Sequence, residues 1–196
     1  GTGVRPLLRP GDRAGAFEVV RPIRVLEDSE LHLAAGLSGR WAALKVVRPE
    51  GGGLPEVIRR EAVALRKLGA DTGVAPRLLA ELEVRGRPAL AIEWIRGAGV
   101  ESVAARHRGR RPDAEGAGSL LGLCRRVAEA YAELHERGVL HGDVHPHNLL
   151  VDREGEPWIL DFGLSHLVGG TGGDSPGGSG PGPSGGNGTG NGGVRP

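Results

Sequence analysis

Apolar residues alternate with polar ones at a period of two through much of the first half of the chain, interrupted by one stretch of helical spacing and followed by a second, longer one. Phe17, Val19 and Val20 mark a strand from Phe17 to Ile23, and Leu31, Leu33 and Ala35 alternate through a second, Leu31 to Leu37. Trp41 to Val47 reads as a third strand, ended by Pro49. From Leu54 to Leu68 the period becomes helical: Ile58, Leu65 and Leu68 share one face, while Arg59, Arg60, Arg66 and Lys67 lie mostly off it. Pro55 suits the first helical position and Gly69 the stop. Arg77 to Val84 and Pro88 to Ile95 predict two further strands joined at Gly86. Five strands with one helix between the third and fourth make a small α+β lobe over residues 16–96.

A second, partial unit spans residues 97–168. Within it Arg108 to Gly118 reads as a polar connection, after which Ser119 caps a helix from Leu120 to Arg137. Leu120, Leu123, Val127, Tyr131 and Leu134 keep helical spacing, and Gly138 ends the run. Val139 and Leu140 lead into a polar cluster, followed by a short hairpin of Leu149 to Val151 and Trp158 to Leu160. Residues 1–15, rich in Gly, Pro and Arg, read as a loose leader. From Gly169 onward the chain is almost entirely Gly, Ser, Pro, Asn and Thr. Such a tail, 169–196, has too little apolar surface to offset its ordering entropy and is expected to be disordered.

Composition narrows the function classes. The 25 basic and 24 acidic residues nearly cancel, so no strongly basic face is implied and nucleic acid is not an expected partner. The single cysteine, Cys124, excludes an internal disulfide and suits a reducing cytoplasm. No apolar run reaches the length of a membrane span, and Gly1 to Gly11 lacks the apolar stretch of a signal peptide. Trp41, Trp94 and Trp158 are expected to be packing residues.

The chemistry concentrates in His141-Gly142-Asp143-Val144-His145-Pro146-His147-Asn148, followed by Asp161-Phe162-Gly163. An Asp, an Asn five positions later and a downstream Asp-Phe-Gly suit phosphoryl transfer, which needs a carboxylate beside the attacking hydroxyl and oxygen ligands for Mg²⁺ between phosphates. The hairpin brings Asp161 back beside Asp143 and Asn148. Glu61 shares the apolar helix face of Ile58, Leu65 and Leu68, and a carboxylate on a buried face needs a cation; Lys45 is the natural one. His141, Asp143, His145 and His147 at alternate positions leave a metal cluster as a second reading of the same loop. His141 is otherwise expected to be buried in support of the Asp161 turn.

From about Phe17 to His166 these residues resemble the protein-kinase-like superfamily. The resemblance implies an α+β fold with a five-stranded N-lobe carrying one helix, and a helical C-lobe that is incomplete here, since kinases of this type continue well past Asp-Phe-Gly. It implies ATP and Mg²⁺ as cofactors. Ala43-Leu44-Lys45 looks like the third-strand Ala-x-Lys, with Lys45 on the α- and β-phosphates and Glu61 as its helix partner. Asp143 would accept the hydroxyl proton, and Asn148 and Asp161 would hold the metal. Ala91 to Ile95 resembles the fifth strand and hinge: Ile92 would be the gatekeeper, the backbone at Glu93 and Ile95 would bond adenine, Leu31 and Ala43 would press on it from above, and Leu150 from below.

Three departures shape the expected function. Arg24 to Leu31 stands where a glycine-rich loop belongs, yet contains no glycine, and Glu27, Asp28 and Glu30 there would repel ATP. Gly142 replaces the usual Arg of His-Arg-Asp, and His145 the usual Lys; this loop form is closer to aminoglycoside and choline kinases and to the kinase-like domains of lanthipeptide synthetases. Asp-Phe-Gly-Leu is typical of protein kinases. The resemblance therefore implies a Ser/Thr protein kinase first, a small-molecule phosphotransferase second, and a non-catalytic pseudokinase or interaction module third. The acceptor is expected to be a protein or small-molecule hydroxyl, and a missing C-lobe or partner protein is expected to cover the apolar sides of the long helix.

Overall fold

The computed structural model describes residues 5–48, 52, 54–109 and 114–168. The expected Gly-rich tail and the first residues of the expected leader lie outside the described residues.

β1 (Arg13–Ala14), β2 (Phe17–Val25), β3 (Ser29–Gly36), β4 (Trp41–Val47), β5 (Leu78–Val84) and β6 (Arg87–Glu93) form one antiparallel sheet in the order β1-β2-β3-β4-β6-β5. Helix α1 (Pro55–Leu68) crosses between β4 and β5, starting at Pro55 and stopping at Gly69 with φ 74°. Its buried residues Ile58, Glu61, Leu65 and Leu68 are the face that the sequence periodicity marks. The β5–β6 turn has Arg85 at φ 53° and Gly86 at φ 74°, the paired left-handed residues of a tight two-residue hairpin.

Two corrections concern this lobe. The sheet has six strands rather than five, because the expected loose leader contributes β1 and lies along the outer face. Leu8 is 2% exposed and packs there with Val19, Leu44, Val46 and Ala91. Burying one such side chain contributes about 1.5–3 kcal/mol toward holding the segment down. On β3 the more buried residues are Glu30, His32 and Ala34, not the apolar Leu31, Leu33 and Ala35. The N-terminal segment covers that side: Leu7 N–H donates to Glu30 at 2.7 Å, His32 Nε2 lies 2.8 Å from Glu30, and Arg48 closes the cluster on the same carboxylate.

The second unit contains more regular structure than expected. β7 (Ala98–Gly99) leads into α2 (Val100–Gly109), which the sequence pattern did not reveal because it carries few apolar residues. The long helix α3 begins at Ala114 and runs to Glu136, so Ser119 lies inside it and does not cap it. β9 (Leu149–Val151) and β10 (Pro157–Ile159) form the expected hairpin, joined by β7, while β8 (Val139–Leu140) pairs with β11 (His166–Leu167). One core runs through both units: Ile58, Leu65 and Leu68 of α1 pack with Leu134 of α3, Val139, Ile159 and Phe162. Among the described residues no helix is long and apolar enough to cross a membrane.

Candidate active site

β4 lays the foundation. Its period of two sends Ala42, Leu44 and Val46 into the outer core and Ala43, Lys45 and Val47 to the other side, where α1 packs. A Lys45 side chain on that face meets Glu61, which α1 holds 1% exposed. Lys45 Nζ donates to Glu61 Oε2 at 2.7 Å and to Asp161 Oδ1 at 2.8 Å. Burial alone would lower the Lys45 pKa, but the charges of Glu61 and Asp161 and their hydrogen bonds outweigh it, holding the ammonium above the ordinary lysine value. Burial likewise pushes the Asp161 carboxyl up, yet the Lys45 charge, its hydrogen bond, the Gly163 N–H and the charge of Arg24 bring it below the usual range.

Asp161 adopts φ 63°, a left-handed conformation that Asp tolerates better than most side chains. The turn sends Asp161 into the cleft and Phe162 into the core, where it is fully buried. His141, 1% exposed, supports this turn as expected: its Nε2–H donates to Leu160 O at 2.8 Å and its ring meets Phe162 edge-on at 4.9 Å. Its Nδ1 accepts the Asp143 N–H at 3.3 Å. With both nitrogens engaged, His141 has no lone pair for a metal, and no group of three metal-ligating His, Cys, Asp or Glu occurs among the described residues. The metal-cluster reading of this loop is therefore set aside.

Asn148 closes the loop that begins at His141. Its Nδ2 donates to Asp143 Oδ2 at 2.9 Å and to Asp143 O at 3.1 Å, which leaves its Oδ1 free to face a cation. Asn148 and Asp161 line one cleft of about 420 Å³. Two hard oxygens at one cleft fit Mg²⁺, which binds few protein ligands and fills the rest of its shell with water or phosphate oxygens.

The same cleft is lined by Leu31, Ala43, Ile92, Glu93, Ile95 and Leu150, so every position expected around adenine reaches it. The Glu93 carboxylate turns away: Arg77 clamps it at 2.9 and 3.0 Å, and that hydrogen bonding is the main cause of its lowered pKa. Glu93 N–H bonds Arg77 O at 2.8 Å, so this donor is already used within the protein. Ile95 N–H has no protein partner among the described residues, a donor at the cleft wall that an adenine ring nitrogen would satisfy.

Three features escape a reading by sequence. Glu30, counted there among the charges repelling ATP, has its carboxylate buried against Leu7, His32 and Arg48. Arg24 lines the cleft, although it sits in a segment read only for its missing glycines. Tyr131 carries a buried hydroxyl with no hydrogen-bond partner among the described residues, and burial and then the Asp143 charge raise its pKa. The tryptophans are only partly packing residues: Trp41 is 40% exposed, and Trp158 Nε1–H donates to Asp152 at 2.8 Å.

The family profile described as "Protein kinase domain" matches residues 38–176. CBL-interacting protein kinase 22 of Oryza sativa subsp. japonica is 35% identical over 154 residues, covering 78% of this chain and 31% of that protein. The serine/threonine-protein kinase AfsK of Streptomyces coelicolor is 30% identical over 159 residues, covering 81% of this chain and 19% of its own. The chain thus spans under a third of the length of these two relatives. The crystal structure of the Mycobacterium tuberculosis PknI kinase domain superposes with a TM-score of 0.60 at 24% identity, over 80% of this chain and 63% of that one, which shows a shared fold. On the strength of the profile match, the chain belongs to the protein kinase family.

Proposed function

We propose that this chain is the ATP-binding and catalytic-loop part of a Mg²⁺-dependent protein kinase acting on Ser or Thr hydroxyls. The observation that carries this reading is the ammonium of Lys45 held between Glu61 and Asp161 at 2.7 and 2.8 Å, at the wall of a cleft of about 420 Å³. A lysine held between two carboxylates is positioned in advance, with its remaining N–H able to donate to a phosphate oxygen. Bound Mg²⁺ would supply charge neutralisation on the phosphates and an in-line template.

The chain's own residues divide the work. Ile95 N–H and the Glu93 carbonyl receive the adenine edge, and Leu31, Ala43 and Leu150 exclude water from its faces. Lys45 orients the phosphates. Asn148 Nδ2 fixes Asp143 Oδ2 at 2.9 Å, which orients the carboxylate that accepts the acceptor's hydroxyl proton. Asp161 Oδ2 and Asn148 Oδ1 are the oxygens for the metal.

The relatives named as serine/threonine or CBL-interacting protein kinases support a protein acceptor. A small-molecule acceptor is favoured by His145 and by Gly142, whose conformation leaves no room for the Arg of most protein kinases. Labelled-phosphate transfer to a Ser/Thr protein panel and to a small-alcohol panel separates the two. Transfer to neither, with ATP binding intact, would point to a non-catalytic module. A cytoplasmic location is the compartment that the single cysteine suits.

A further inference from the structure

The hairpin between β2 and β3 leaves the phosphate end of the cleft without the backbone cradle that glycines supply. Leu26 N–H is bonded to Ser29 O at 2.9 Å within the turn, and Glu27 and Asp28 bring two carboxylates to its tip. Lys45 is already shared by Glu61 and Asp161. A triphosphate carrying about four negative charges, only partly neutralised by Mg²⁺, would meet more acidic than basic side chains here unless a second cationic side chain reaches it.

β2 carries that cation. Its pairing with β3 slips between Pro22, opposite His32, and Arg24, opposite Leu31, so Ile23 is an extra residue. In a regular strand neighbouring side chains point to opposite faces. Here Ile23 and Arg24 both line the cleft, as a bulge that re-aims a side chain produces. The Arg24 guanidinium makes no ion pair or hydrogen bond among the described residues, yet it stands close enough for its charge to bear on Asp161.

We propose that Arg24 is the phosphate-binding side chain that takes the place of a glycine-rich backbone cradle. Its planar fork presents paired N–H donors to phosphate oxygens from the β2 edge of the cleft, while Lys45 reaches them from β4. The bulge is the device that makes this possible, and the absent glycines are its counterpart: a side-chain donor does not require close backbone approach. The role rests on the nucleotide-binding reading above and adds to it a specificity for the charged end of the nucleotide.

Calorimetric titration of the 196-residue chain with ATP, ADP and adenosine in the presence of Mg²⁺ tests it. Arg24→Ala should weaken ATP binding about 10- to 100-fold, the range for losing charge-assisted hydrogen bonds, and leave adenosine unchanged. Arg24→Lys should recover part of the loss, because it keeps the charge without the fork. Arg21→Ala, an exposed β2 position away from the cleft, should bind like the unmodified chain. ATP affinity untouched by Arg24→Ala, or an equal loss for adenosine and ATP, would overturn the role of Arg24 while leaving the cleft a nucleotide site. An unmodified chain that binds neither ATP nor adenosine would instead overturn the nucleotide reading itself, and Arg24 with it.

Discussion

Asp161 Oδ1 accepts a hydrogen bond from Lys45 Nζ at 2.8 Å across 116 residues of sequence. The same ammonium holds Glu61 of α1, so one cation ties β4, the helix and the Asp-Phe-Gly turn into a fixed geometry. Phe162 is fully buried in the core shared by α1 and α3, so rotating Asp161 out of the cleft would expose it. Packing on one side of the backbone and an ion pair on the other both favour this arrangement.

Asp161→Asn should reduce phosphotransfer about 100-fold or more, by analogy with other losses of a metal-bound carboxylate in the transition state. Asn tolerates the φ of 63° as Asp does, so the fold should persist. Labelled-phosphate transfer and circular dichroism on the same preparation check both halves. Undiminished transfer would remove Asp161 from the mechanism.

Lys45→Met should cost activity and stability together, whereas Lys67→Met should cost neither. Removing Lys45 leaves Glu61, 1% exposed, without its cation, a loss of about 3 kcal/mol. Lys67 sits on the exposed side of α1 with one hydrogen bond among the described residues, 3.3 Å to Val168 O, and its replacement should stay within about 0.5 kcal/mol. Urea denaturation and transfer assays on the two variants provide the comparison, and equal effects would contradict the placement of the phosphate lysine.

Acid should release the N-terminal segment. Burial pushes the Glu30 carboxyl up, but hydrogen bonds from Leu7 N–H, His32 and Leu8 N–H, with the His32 charge, bring it below its ordinary value. A carboxyl depressed in the folded state contributes stability that is fully present above its unfolded pKa, about 4.3, and is lost as pH falls through the lower folded value. Thermal melts from neutral pH downward should therefore show an acid-labile component that Glu30→Gln abolishes. Amide exchange at Leu7 and Leu8 should accelerate in the same variant; unchanged protection there would disconnect Glu30 from the segment.

Gly142→Arg, which would restore the common His-Arg-Asp form, should destabilise rather than improve the protein. Gly142 has φ 80°, and a Cβ there would collide with the carbonyl oxygen of Leu164. Left-handed strain and the clash with backbone should together cost about 3 kcal/mol. Gly142→Ala tests the backbone effect without the long side chain. A denaturation midpoint unchanged in both variants would show that the loop relaxes freely.

Much of the site was legible before any coordinates. The helical period through Leu54 to Leu68 put Glu61 on the apolar face of α1, where the structure buries it, and loop spacing brought Asp143, Asn148 and Asp161 into one neighbourhood. These inferences succeed because a helix period or a short loop fixes the positions of its residues locally. The expected loose leader and the face assignment on β3 failed for one shared reason: alternation says that a strand has two unlike faces, but not which of them is covered. Glu30 and His32 are interior only because Leu7 and Leu8, more than twenty residues away, lie over them and Arg48 joins the cluster.

The sequence by itself determined the residue types, their order and the period that places Lys45 and Glu61 on faces able to meet. Only the tertiary structure decided that Lys45 is shared between Glu61 and Asp161, that the Glu30 carboxylate is buried beneath the N-terminal segment, and that a bulge turns Arg24 into the cleft. Each of these depends on strand register or on contacts between distant segments. Those are set by the competition for burial across the whole chain, which no local pattern encodes.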